Sequence, residues 1–167
     1  MINPIKQNIF QLHFKEFGSC VYILQNNKKI ILIDTSSKEA REELLENLKS
    51  LNITPEKINA IILTHNHYDH VQNLELFKKA KIYRAESLSE DSTITEIPEM
   101  KIIETPGHTP ESKSYLYKEI LFSGDTLFHN GFIGRTDLSG GSEERIKESL
   151  EKLKKINFKI LCPGHLI

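Results

Sequence analysis

The chain has little to staple it and no long apolar run to take it into a membrane. Its 167 residues include two cysteines, Cys20 and Cys162, and neither belongs to a Cys-x-x-Cys pair. That argues against a disulfide framework and against a thiolate zinc site, and each cysteine reads as a small buried residue. No apolar stretch approaches the roughly 20 residues of a spanning helix, and the N-terminal run MINPIKQNIFQLHFKEFG contains no signal-peptide core. The expectation is a soluble cytoplasmic protein. An excess of one charge is missing too: 22 Lys and Arg against 23 Asp and Glu leave a formal net charge of -1. No global field therefore marks a nucleic-acid or membrane-surface binder. Repeats, low-complexity tracts and linkers are absent, so a single domain over 1–167 is expected, long enough to bury a core without staples.

What is present is a series of short apolar runs. Strands are expected at 9–14, 20–25 and 29–33, with Asn26-Asn27 turning between the last two. Over 37–51 the spacing becomes helical, with Leu44, Leu45, Leu48 and Leu51 on one side and charges on the other. Thr54-Pro55 interrupts this pattern. A buried-type strand over 60–63 then runs straight into Thr64-His65-Asn66-His67-Tyr68-Asp69-His70. A short helix at 71–79, a strand at 81–85 and a polar loop at 86–93 follow, then strands at 100–104, 114–117 and 120–122. Ser142 reads as an N-cap, with Glu143 and Glu144 opening a helix that carries Ile146, Leu150 and Leu153 to about residue 156. A last strand at 158–162 ends at Pro163-Gly164-His165. Strands in groups, with helices between and after them, favour an α+β chain of two packed sheets covered by helices.

The chemistry concentrates at strand ends. His65, His67, Asp69 and His70 place three imidazoles and a carboxylate directly after an apolar strand. In extended backbone, side chains two apart share a side, so His65 and His67 can share one ion while Asp69 and His70 face a neighbouring one. Zinc, iron and manganese all accept such mixed nitrogen and oxygen ligands. The bland alternative is a polar loop that merely contains histidines. Against it stand further candidates in Pro106-Gly107-His108, Gly124-Asp125 and Pro163-Gly164-His165, each after an apolar segment with glycine beside the ligand. Glycine permits a sharp turn out of a strand, and a sheet gathers strand ends at one edge. Each is weak alone; the joint occurrence carries the argument.

Taken in order, T-H-N-H-Y-D-H, P-G-H-T, S-G-D-T-L-F and P-G-H resemble the metallo-β-lactamase superfamily over 29–165. The resemblance implies a four-layer αββα sandwich with two divalent metal ions at one sheet edge, zinc foremost, with iron or manganese as alternatives. It implies His65, His67 and His108 on the first ion, Asp69, His70 and His165 on the second, and Asp125 bridging them. Asp69 would also orient or deprotonate the attacking water, a metal-bridged hydroxide. Asp34, in I-D-T-S, is either a support of the site or part of a helix-capping turn. His13 matches no ligand position and reads as an ordinary strand residue. His129 either lines the mouth of the site or sits in a surface loop.

The loop over 126–141, with its G-R-T-D-L core, resembles the glyoxalase II-like (hydroxyacylglutathione hydrolase-like) branch, which implies a thioesterase acting on acyl thioesters of glutathione. Arg135 would then bind a substrate carboxylate through paired hydrogen bonds, or else pair with Asp137 to fix the loop. Three departures qualify the resemblance. The sequence ends at Leu166-Ile167, without the helical C-terminal domain that holds glutathione in full-length glyoxalase II enzymes; Glu111 stands where relatives often have a small residue; and the length is short for the superfamily. A persulfide dioxygenase with one iron shares H-x-H-x-D-H and G-R-T-D and is the second hypothesis. A ribonuclease Z-like nuclease is the third, disfavoured by the near-neutral charge. Class B β-lactamases typically have Cys where this chain has Asp125, and flavodiiron proteins have Glu where it has His67. The expected partner is a small-molecule substrate, with no membrane, nucleic acid not expected, and a monomer or homodimer. On this ligand set, His67→Ala or Asp125→Ala lowers metal content and turnover together, whereas Asp69→Asn loses turnover while keeping some metal. Metal analysis beside a rate assay checks this, and normal turnover by either ligand variant would sink the assignment.

Overall fold

Turn chemistry and strand burial shape the first half of the chain. The computed structural model describes residues 1–166, which divide into two compact units, Met1–Tyr83 and a second beginning at Arg84. In the first unit β1 (Ile2–Lys6), β2 (Ile9–Leu12), β3 (Val21–Asn26), β4 (Lys29–Ile33), β5 (Ala60–Ile62) and β6 (Lys81–Tyr83) form one sheet in chain order. The first three pairings are antiparallel and the last two parallel. Asn26 still pairs with Lys29, so the hairpin turn is Asn27-Lys28, one residue later than the sequence suggests. Both turn residues have positive φ, 46° and 66°, as a two-residue turn matched to strand twist requires. β1 is not evident in the sequence, because Pro4 and the exposed residues around it obscure the pattern; as an edge strand it tolerates proline.

The helix α1 (Arg41–Ser50) buries Leu44 and Leu48, one turn apart, in a core with Leu12, Val21, Ile23, Leu32, Ile61 and Phe77. It starts four residues after the expected 37, because the chain from Asp34 to Ser37 is a buried loop with positive φ at Asp34 and Ser36. The expected helix at 71–79 is not formed. In its place are one α-turn, α2 (Tyr68–Val71), which begins inside the histidine cluster, and a 3-10 turn at Leu74–Leu76. The parallel pair β4 and β5, in register at Ile33 and Ile62, brings Asp34 and Thr64 out at the same edge.

In the second unit β7 (Lys101–Glu104), β8 (Lys113–Tyr117) and β9 (Ile120–Gly124) form an antiparallel meander, and β10 (Ile160–Pro163) adds parallel to β9. Pro163 lies opposite Gly124, and the Gly164 N–H donates to the Gly124 carbonyl at 2.8 Å. Asp125 and His165 therefore leave adjacent strands together, and β7, running the same way as β9, delivers His108 to that edge. Before β10 comes α3 (Glu143–Lys154). Its Ser142 cap accepts the Arg145 N–H, acids fill its first turn and lysines its last, and Ile146, Ser149 and Leu153 form its buried face. Leu153 packs with Ile103 and Leu121. Among the described residues no helix is long and apolar enough to cross a membrane. Leu48→Ala is expected to cost about 2–5 kcal/mol in urea unfolding, and Ser142→Ala about 1 kcal/mol; equal costs would contradict this division between core and cap.

Candidate metal centre

The first unit presents its candidate ligands from the end of β5 and from α2. Asp34, 2% exposed, has φ 59°, a conformation Asp tolerates better than most residues. Its Oδ1 accepts the Thr64 N–H at 2.8 Å, and its Oδ2 accepts the Thr64 hydroxyl at 2.8 Å and His70 Nδ1–H at 2.8 Å. A carboxylate facing a ring nitrogen only accepts, so the His70 proton sits on Nδ1 and the lone pair on Nε2. Having given its proton to Asp34, Thr64 Oγ1 is left as acceptor for His65 Nδ1–H at 3.1 Å, which fixes His65 in the same form. Asp34 thus supports the site directly.

His65 and His70 are fully buried, with ring centroids 4.0 Å apart, and the His67 ring stands edge-on to His65 at 4.7 Å. Neutral imidazoles crowded in this way, beside the buried Asp69, suit a borderline divalent cation. A one-turn helix cannot hold such ligands by its own hydrogen bonds. Instead α2 is fastened from outside through its carbonyls: His70 accepts from the Thr35 N–H at 2.7 Å and its hydroxyl at 3.0 Å, and Asp69 accepts from the Ser19 N–H at 3.1 Å. The buried Asn73 amide then donates to the Thr35 and Ser37 carbonyls at 2.8 and 2.6 Å, closing the loop around the helix.

The second unit presents His108, Asp125 and His165. Asp125 Oδ2 lies 3.5 Å from His108 Nε2 and 3.6 Å from His165 Nε2. These distances are long for hydrogen bonds. They match two ligand atoms that share one tetrahedral ion, since bonds of about 2.0–2.2 Å place such atoms about 3.3–3.6 Å apart. One carboxylate oxygen spaced in this way from two imidazole nitrogens can share an ion with either of them. His108 Nδ1–H donates to the Arg135 carbonyl at 2.7 Å, which again leaves Nε2 as the ligand atom. The turn before His108 is seated on α3: Gly107 has φ 141°, and a Cβ there would come within 2.4 Å of Ile146. Ser149 Oγ donates to the Pro106 carbonyl at 2.6 Å, and the Ser142 N–H to the Gly107 carbonyl at 2.8 Å.

The Arg135 guanidinium is engaged within its own loop. Nε and Nη2 meet the two Asp137 oxygens at 2.9 and 2.8 Å, and both side chains are exposed. This fork holds the Asp137 carboxyl at about 2, so the pair is present through the neutral range and is lost only as pH falls towards that value. His129 is exposed in a 3-10 turn at His129–Gly131, and His13 lies one residue beyond β2 rather than in it. Both cysteines are buried. Thr64, Asn73 and Gly134 escape the sequence reading; the hydroxyl directly before the first histidine is the signal that points to Thr64. Asp34→Asn is expected to lower metal affinity about 10–100-fold by disturbing the His70 tautomer. Isothermal titration of the metal-free protein measures this, and unchanged affinity would refute the support role.

A family model described as the Metallo-beta-lactamase superfamily matches residues 15–95 and 84–165. The "Probable metallo-hydrolase" of Methanocaldococcus jannaschii is 34% identical over 143 residues, covering 81% of this chain and 70% of the relative. The hydroxyacylglutathione hydrolase of Buchnera aphidicola subsp. Baizongia pistaciae is 32% identical over 155 residues, covering 84% of this chain; the match spans only 59% of that protein. Among solved structures, ETHE1 from Myxococcus xanthus has a TM-score of 0.76 at 22% identity, over 100% of this chain and 76% of its own. TTHA1623 in a di-iron-bound form has a TM-score of 0.76 at 23% identity, over 93% of each chain. The two sheets with their helices carry the metallo-β-lactamase fold, and the chain belongs to the metallo-β-lactamase superfamily.

Proposed function

We propose that the protein is a binuclear metal-dependent hydrolase of small acyl thioesters, working in the cytoplasm, with His65, His67, Asp69, His70, His108, Asp125 and His165 as its metal ligands. The observation that carries this reading is the placement of Asp125 Oδ2 at 3.5 and 3.6 Å from the Nε2 atoms of His108 and His165, a spacing at which this carboxylate can share an ion with either histidine. Zinc is the first choice of metal, with iron or manganese as alternatives; the di-iron form of TTHA1623 supports a pair of ions in this fold. Bound by these residues, two ions would supply an acidified water at neutral pH and polarisation of the carbonyl under attack.

The remaining work falls to the chain's own groups. Asp69, buried in the first turn of α2, would orient the water and take its proton. Asp34 and Thr64 keep two imidazoles in the ligand form, and the Arg135 carbonyl does the same for a third. Thioester specificity is supported by the G-R-T-D-L run and by the named hydroxyacylglutathione hydrolases among the relatives. The matches span 55–59% of those proteins, so the proposal names a small acyl thioester and not glutathione itself.

Metal content per chain, on protein purified without a chelating tag, is to be measured beside air-free hydrolysis of S-lactoylglutathione and simpler acyl thioesters. About two ions per chain with thioester turnover is the expected result. One iron per chain, no thioester turnover and oxygen consumption on a thiol persulfide would overturn it in favour of persulfide oxidation.

A further inference from the structure

The G-R-T-D run, which the sequence offers as a substrate-capturing element, faces the metal ligands with its backbone and solvent with its charges. Gly134 is buried although residues 131–133 and Arg135 around it are exposed. A Cβ at Gly134 would fall 2.0 Å from the Asp125 carbonyl oxygen and 2.9 Å from His108 Nδ1, so the loop passes over two ligand residues at a distance only glycine permits. The next carbonyl, that of Arg135, accepts His108 Nδ1–H at 2.7 Å. The next side chain does not reach for the ligands. It folds back onto Asp137 through two parallel hydrogen bonds of 2.9 and 2.8 Å.

The far end of the loop returns to the same histidine. The Gly141 N–H donates to the Leu138 carbonyl at 2.9 Å, and a Cβ on Gly141 would lie 2.2 Å from the Thr136 carbonyl oxygen. The Ser142 N–H then reaches the Gly107 carbonyl at 2.8 Å, beside His108.

We infer that Gly134–Asp137 is a positioning clamp for the metal ligand His108: Gly134 permits the approach, the Arg135 carbonyl fixes the ring, and the Arg135–Asp137 fork holds the turn that aims the carbonyl. The inference rests on the proposed metal-binding role of His108. It removes the Arg135 side chain from substrate recognition and gives that residue its function through its main chain. Gly134 carries most of the effect, because a Cβ there would meet the Asp125 main chain and the His108 ring at once. The fork is solvent-exposed and contributes less.

The test is titration of the metal-free protein with Co(II), followed by the visible ligand-field spectrum and by the paramagnetically shifted, exchangeable proton resonance of His108 Nδ1–H. Gly134→Ala is expected to weaken Co(II) binding about 10–100-fold and to alter or abolish that resonance, with the folded circular-dichroism spectrum retained. Arg135→Ala and Asp137→Asn should each weaken binding a few-fold, and the double variant no further, because both remove one fork. The double variant decides the matter if Gly134→Ala does not fold. Wild-type affinity and spectrum in all these variants would overturn the clamp while leaving the hydrolase proposal standing. An Arg135→Ala variant that raises only KM, with metal binding untouched, would return Arg135 to substrate binding. A wild-type protein that takes up no Co(II) would overturn the metal reading and the clamp together.

Discussion

A histidine serves a cation only through a nitrogen without a proton, and the other nitrogen must then have somewhere to direct its own. Much of the local architecture around the candidate ligands follows from that requirement. In the first unit a carboxylate and a hydroxyl meet it: Asp34 accepts the hydrogen bond from His70 Nδ1–H, and Thr64, whose hydroxyl donates to Asp34, accepts the one from His65 Nδ1–H. In the second unit a main-chain carbonyl does so for His108. Asp34 and Arg135 are each delivered by a piece of chain distant in sequence from the histidine they serve. The positive φ at Asp34 and the absence of a side chain at Gly134 are the local concessions that bring them into place.

Strand direction does the coarse placement and loops the fine placement. Parallel neighbours end at the same edge, which is why β4 with β5, and β9 with β10, release their polar residues together. Helices and loops then adjust them. The single turn of α2 is held by hydrogen bonds from residues 19 and 35, the latter itself anchored by Asn73, and has little stability of its own, while α3 supports the Gly107 turn along its buried face. Rigidity at the ligands is thus borrowed from elements distant in sequence.

The candidate ligands and most of the strands could be picked out in the sequence because both are written in side chains: apolar runs, histidines beside glycine, a serine before two glutamates. Interactions made by the main chain were not. The helical turn at Tyr68–Val71 is too short for a periodic signature and lies within polar residues, and β1 hides behind a proline. Arg135 drew notice for its charge, yet the atom that touches His108 is its carbonyl oxygen, which every residue has. Gly134 is similar: its contribution is an absent atom, and only the surrounding backbone reveals it. Asp34 was legible as either a support or a cap, and its contacts with Thr64 and His70 are those of a support.

The outermost strand of the six-stranded sheet also bears on how the protein behaves in a crowded solution. An open sheet edge is a template on which another chain can add a strand. Here that edge is β1, short, interrupted by Pro4, which has no amide proton to offer, irregular in register between Pro4 and Lys6, and ending in a lysine. The proline that hid this strand from the sequence, together with the bulge, discourages edge-to-edge association. They make this margin a poor template for a further strand.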